Sequence, residues 1–255
     1  MEFPISFFLD YAWNVNKWGA DNLQNYFTQW ATEQFGPAHA KEIGNIIQKY
    51  SQYNARRKPE LLDANTYSIE NYNEANKVTD GWNKLVAEAE KINNQLPDEY
   101  KNAFFELVLH PVKACANLQD LYTAVAWNHY YAQQNNPMAN KYADEAKQYY
   151  ANDSLISAEY NHLNNGEWNH MMDQTHIGYR YWQEPRHQTM PQVTYVSGNA
   201  IGQNTRPTNV INHTAEFLIP KSDESNLFYE KNGYVSVEAA HYSKKFDANN
   251  IEWKV

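Results

Sequence analysis

Cysteine is nearly missing from this chain. Cys115 is the only one in 255 residues, so no intrachain disulfide and no cysteine-based zinc site can form. A single thiol fits the cytosol and also fits secreted bacterial proteins that do without disulfides, so it leaves the compartment open. Cations are in the minority, with 21 Lys and Arg against 30 Asp and Glu and a net charge of −9. A nucleic-acid backbone or an anionic membrane surface needs clustered Lys and Arg, and Arg56-Arg57-Lys58 is too short a cluster to supply that. No run approaches the ~18 apolar residues of a membrane span. Met1-Glu2-Phe3-Pro4 has neither a basic n-region nor a small-residue cleavage site, so no export signal is expected. Internal repeats and low-complexity tracts are absent too.

What is present is a folding chain. Hydrophobic residues make up 42%, enough to bury a sizeable core in one large domain or two smaller ones. The mean hydropathy is nonetheless −0.81, because 20 Tyr, 8 Trp and many Asn carry polar atoms.

The first part of the chain, to about residue 163, reads as helices punctuated by proline. Over 21–36, Leu23, Tyr26, Phe27, Trp30 and Ala31 form an amphipathic stripe. Gly36-Pro37 ends it, and Pro37 is placed to open a second helix carrying Ala40, Ile43, Ile46, Ile47, Tyr50 and Tyr53, which stops before Pro59. Asn71 and Glu74 have capping-box spacing ahead of Ala75, Val78, Trp82, Leu85, Ala89, Ile92 and Leu96. Those apolar residues alternate at steps of three and four, the spacing of a bundle seam. From 97 to 134 a long helical stretch is predicted, with a kink or break just before Pro111. Pro137 opens a further helix with Met138, Tyr142, Ala146, Tyr149 and Tyr150 on it, and a shorter piece follows over 154–163.

Beyond Asn164-Asn165-Gly166 the pattern changes. Residues 193–196, 215–219, 227–229 and 234–240 are β-prone runs between turn residues. They are too few to close a sandwich, and would leave open strand edges unless something covers them. Residues 3–13 are also more apolar than a terminus in water should expose. The fold class expected is mainly α, a multi-helix bundle followed by a partial β-sandwich.

Residues 168–182 hold the densest set of functional side chains. His170, Asp173 and His176 suggest a metal, but on a helix the two histidines would lie roughly 120° apart, a poor match for one ion. Two readings stay open. The aromatic residues with His170, Asp173, Gln174, His176, Tyr179 and Trp182 form a sugar-facing surface or partner interface. Alternatively they fill the joint between the helical and β parts. Arg56 and Arg57 can grip a carboxylate such as that of a uronic acid, or they complement a helix C-terminus beside Glu60 and Asp63. Glycoside hydrolysis by inversion needs two carboxylates ~6.5–9.5 Å apart, and no such pair is announced. There is no nucleophile elbow, phosphate loop or cofactor motif.

Several motifs carry a family likeness. They are Glu2-Phe3-Pro4-Ile5, Phe8-Leu9-Asp10-Tyr11-Ala12-Trp13-Asn14, Tyr53-Asn54-Ala55-Arg56-Arg57-Lys58-Pro59-Glu60-Leu61-Leu62, Val108-Leu109-His110-Pro111-Val112-Lys113-Ala114-Cys115-Ala116-Asn117, and the stretch 168–183. Together and in this order they resemble family 115 glycoside hydrolases, α-glucuronidases that remove (4-O-methyl-)glucuronic acid from xylan. The resemblance runs from residue 2 to about 196 and again over 233–243.

It implies a C-terminal portion of a longer enzyme. Residues 1–19 would be a remnant of the last helix of a missing TIM barrel, 20–165 a helical bundle, 166–191 a connecting segment, and 192–255 the start of a C-terminal β-sandwich. The family's catalytic carboxylates lie in the barrel, so none is assigned here and the chain alone is expected to be inactive. Glucuronoxylan or a xylo-oligosaccharide, the barrel and a second copy are the implied partners, and a periplasmic or extracellular parent is implied. A stand-alone carbohydrate-binding or dimerisation module is the alternative.

Overall fold

The seam read in the sequence is the spine of the helical part. In the computed structural model, Ala75, Val78, Trp82, Leu85, Ala89 and Ile92 are all buried along the helix Glu74–Gln95, and Leu96 is buried just beyond it. Residues 2–19, 21–180 and 183–197 are described, with the backbone of 230–231 and 234–235. The chain divides into two units, Met1–Thr205 and Arg206–Val255.

The first unit contains α1 (Glu2–Trp13), α2 (Leu23–Phe35), α3 (Ala40–Arg56), α4 (Glu74–Gln95), α5 (Asp98–Phe104), α6 (His110–Gln133) and α7 (Met138–Asn161), with a short 3-10 turn at Pro59–Leu61. α6 packs along α7 on one side and α4 on the other, while α2 pairs with α3. The contact between α2 and α3 is backbone-close. A Cβ at Gly44 would stand 3.0 Å from the carbonyl carbon of Phe27, so even alanine there would push the two backbones apart by a few tenths of an ångström. Trp82 sits edge-on to Tyr53 and Tyr50, at ring-centroid distances of 5.2 and 5.8 Å.

Several local expectations are corrected. Leu23 is exposed rather than part of the buried stripe of α2. A turn separates Pro37 from α3, which begins at Ala40. α4 starts at Glu74, after Tyr72 and Asn73 in left-handed conformation. Glu74 does accept a backbone N–H from upstream, but from Ser68, at 2.8 Å, rather than from Asn71. α7 is one helix to Asn161, with no separate piece over 154–163.

The predicted break before Pro111 takes the form of a π turn. Residues Phe105–Leu109 widen the helix so that His110 N bonds Phe105 O, five residues back. The backbone keeps right-handed helical dihedrals on both sides, and Pro111 lies in the first turn of α6, where its missing donor is tolerated.

Residues 193–196 are not a sheet strand. They run extended along α6 and α7 and bond two asparagine side chains. Thr194 N donates to Asn128 Oδ1 and Thr194 O accepts from Asn128 Nδ2, both at 2.8 Å. Asn140 does the same for Val196, at 2.8 and 3.0 Å. The two-residue step is that of a β-ladder, with amide side chains in place of a neighbouring strand.

In the second unit, Glu230–Lys231 pairs antiparallel with Tyr234–Val235, with Glu230 opposite Val235. The runs expected at 215–219 and 227–229 lie outside the described residues, as does the rest of 236–240.

Candidate functional site

The end of α7 is made by conformation. Asn164 and Asn165 adopt positive φ (52° and 59°), as asparagine does more readily than most residues, and Gly166 follows at 83°. Asn161, at the last turn, then organises the start of the connecting segment. Its Oδ1 accepts Met172 N at 3.0 Å and its Nδ2 donates to Asp173 Oδ1 at 2.8 Å.

Asp173 Oδ2 in turn lies 2.6 Å from His170 Nδ1. This pair faces solvent, with side chains 77% and 54% exposed. The hydrogen bond from His170 holds the Asp173 carboxyl below its usual range. His170 has φ 71°, in the left-handed region.

His176 turns the other way, toward the bundle. Its Nε2 is 2.5 Å from Asp153 Oδ1 and its Nδ1 3.0 Å from the Gln174 carbonyl. The Asp153 carboxylate and the Gln174 carbonyl can each accept from the ring, and Gln188 Nε2 also lies 3.1 Å from its Nδ1. Burial alone would discharge the ring, but the hydrogen bond to Asp153 and that carboxylate's charge prevail and hold its pKa above the ordinary value. Gln188 completes the knot. Its Oε1 accepts His176 N at 3.1 Å and Ile177 N at 2.7 Å, and its Nε2 donates to Asp153 Oδ2 at 3.2 Å.

Ile177 is thereby inserted fully into a core with Leu118, Leu121 and Val125. Gly178, at φ 103°, lets Thr189 approach to 2.9 Å from where a Cβ would be. Beside the knot, His110 is buried at the start of α6, 4.8 Å from the Tyr160 ring, and its Nδ1 has no partner among the described residues. Burial pushes its pKa down to about 4.

The structure therefore separates the residues that the sequence grouped. His170 and Asp173 form one exposed pair, and His176 belongs to a different, largely buried one. Gln174 is exposed, Tyr179 is half-buried with its hydroxyl donating to Thr175 O at 3.3 Å, and Trp182 lies outside the described residues. Among the described residues, no His, Cys, Asp and Glu cluster could hold a metal. Arg56 and Arg57 are far from this segment in sequence and have their own contacts. The Arg56 guanidinium lies 4.6 Å from the Tyr53 ring centroid, and Arg57 Nε donates to Leu61 O at 2.9 Å. Among the described residues, no ion pair joins either to Glu60 or Asp63.

Asp153, Gln188 and His110 were not singled out from sequence. Asp153 had a visible signal, being seven residues after Ala146 on the same face as Ala139, Ala143 and Tyr160, where a lone carboxylate must find a partner. Asp120, on α6, was also missed. Burial raises its pKa to about 6, and Asn83 donates to it at 3.0 Å.

Residues 1–61 match the family model of Glycosyl hydrolase family 115. The chain is thus related to family 115 glycoside hydrolases, as its motifs suggested. Among solved structures, it is similar in fold to a family GH115 4-O-methyl-α-glucuronidase with specificity for decorated arabinogalactans. The two share 21% identity with a TM-score of 0.55, over 72% of this chain and 26% of that one. The chain therefore spans about a quarter of the length of that enzyme. No protein of curated function matches the sequence.

Proposed function

We propose that this chain is the helical accessory part of an α-glucuronidase that removes (4-O-methyl-)glucuronic acid from xylan-type glycans by inversion. The catalytic barrel is supplied outside the residues of this chain, and the parent works in the periplasm or outside the cell. The observation that carries this reading is the family match over residues 1–61, which includes an α1 whose outer side has no partner among the described residues. Phe8 and Leu9 are exposed there and Trp13 is 92% exposed, a surface suited to a covering domain.

In this reading residues 166–191 form the face turned toward the substrate cleft or a second copy, with the His170–Asp173 pair, Gln174 and Tyr179 available to sugar hydroxyls. The buried His176–Asp153–Gln188 knot holds that face in shape. The chain itself shapes the site and does not cleave.

The experiment has two arms. The purified chain is incubated with glucuronoxylo-oligosaccharides, and no glucuronic acid release is expected. A chimera carries this chain in place of the matching region of a family 115 enzyme, and release is expected to persist. A chimera that folds but is inactive would overturn the accessory role. So would release by the isolated chain that a point change within it abolishes.

A further inference from the structure

A groove of about 490 Å³ lies between α2 and α3, within the size range of small-ligand sites. Its position follows from the tight crossing at Gly44. The backbones meet at Gly44 and Phe27 on the core side, and the next residues outward on each helix form the walls. Those walls include Gln24, Thr28, Gln29 and Thr32 from α2, and Lys41 and Asn45 from α3. Among the described residues, no lining residue is apolar or acidic, and the only charge is that of Lys41.

Internal hydrogen bonds orient the groups. Gln24 Nε2 donates to Asn45 Oδ1 at 3.2 Å, Gln29 Nε2 to Glu33 Oε1 at 2.8 Å, and Thr32 Oγ1 to Thr28 O at 2.8 Å. Gln24 Oε1, Gln29 Oε1, Asn45 Nδ2 and Lys41 Nζ form no hydrogen bond or ion pair among the described residues. Two amide acceptors, an amide donor and an ammonium thus belong to side chains that line one groove. Paired acceptors and donors suit the hydroxyls of a pyranose, and the ammonium suits a carboxylate.

We propose that the α2–α3 groove is a binding site for an acidic saccharide. Gln24, Gln29 and Asn45 take the hydroxyls of a uronic acid, and Lys41 takes its carboxylate. The choice of a sugar rests on reading the chain as part of a glucuronidase, while the choice of an anion rests on the groove alone. The site is distinct from the connecting segment and would retain the acidic polymer or the released uronic acid beside the bundle. With no aromatic platform in the lining, affinity should be weak, on the order of millimolar.

The test is NMR titration of the full chain with glucuronic acid, glucose and inorganic sulfate as separate probes. Glucuronic acid is expected to shift the side-chain amide signals of Gln24, Gln29 and Asn45. Lys41→Gln should weaken glucuronic acid severalfold and leave any glucose response unchanged, whereas Asn45→Ala should weaken both. These are exposed or half-exposed positions, and unchanged spectra away from the groove verify the fold. A silent groove at tens of millimolar glucuronic acid overturns the proposal, as does an equal response to sulfate, which would mean anion attraction without sugar recognition. Glucuronic acid bound elsewhere on the chain overturns this site but leaves the accessory role, which the chimera tests separately.

Discussion

Asp153 Oδ1 and His176 Nε2 meet at 2.5 Å across 23 residues of sequence, with the Asp153 side chain 5% exposed. That contact binds the connecting segment to α7, and it has a direction. Removing His176 strands a buried carboxylate, whose cost exceeds the net worth of the pair. His176→Ala is expected to cost roughly 3 kcal/mol in urea unfolding and to release the Ile177 amide to hydrogen exchange. Asp153→Asn, which keeps a hydrogen-bond acceptor, should cost less. An Ile177 amide still as protected as in the parent would show that the knot does not hold the loop.

The two histidines near this knot have opposite shifts, so stability should fall on both sides of neutrality. His176 binds its proton more tightly folded than unfolded, so its stabilisation is complete below about pH 6.5 and is lost as pH rises through its folded value. His110 is neutral when folded, its pKa pushed down to about 4 by burial beside Lys113, Glu159, His176 and Asp153. Its contribution is present above about pH 6.5 and is lost as pH falls toward 4. Thermal midpoints measured across pH should lose their acid flank in His110→Gln and their alkaline flank in His176→Gln. A variant that shifts the whole curve without changing its shape would contradict the assignment.

Trp82→Ala is expected to cost roughly 3–5 kcal/mol, the range for large buried aromatics. Its indole lies on the α4 seam against the edges of Tyr50 and Tyr53, so the cavity would open between α3 and α4. Chemical denaturation measures this, and a loss below about 1 kcal/mol would mean the seam collapses around the gap.

The helices were legible because their period dominates. Every apolar position read on α4 is buried, since a 3–4 step repeated over six turns leaves no competing face. Boundaries were less legible, because left-handed Tyr72 and Asn73 moved the start of α4 in a way that no cap rule expresses. Residues 193–196 misled for a clear reason. The β-prone text was right about extended backbone, but the pairing groups are Asn128 and Asn140, more than fifty residues away. In the connecting segment the density of polar side chains was visible, whereas the split of His170 from His176 was not. Whether an imidazole turns to solvent or to Asp153 is decided by where α7 passes.

That asparagine ladder makes its own prediction. Asn128 is fully buried and donates also to Ala139 O at 2.8 Å, so Asn128→Ala leaves several backbone groups without partners. A loss of roughly 2–3 kcal/mol is expected. Limited proteolysis should begin near residues 192–197, and Asn140→Ala should show the same cleavage with a smaller loss. Unchanged resistance at this segment in both variants would mean that side-chain packing, not the amides, holds it.

Asp120 makes the opposite kind of prediction, a substitution that stabilises. Burial, with the neighbouring charges of Asp80 and Glu145, raises its carboxyl to about 6 despite the hydrogen bond from Asn83. The folded state therefore prefers the protonated acid. Its favourable contribution is present below the unfolded value of about 4 and is lost as pH rises through about 6. At pH 7 the carboxylate is a net cost to folding. Asp120→Asn keeps an oxygen that can accept from Asn83 Nδ2 and removes the charge. It should raise stability by roughly 1–2 kcal/mol at pH 7 and change it little at pH 4, where the native acid is already neutral. Urea unfolding at the two pH values measures the difference. Equal effects at both would mean the charge is not what burial penalises, and destabilisation at pH 7 would mean the carboxylate has a cationic partner that matters more than its burial.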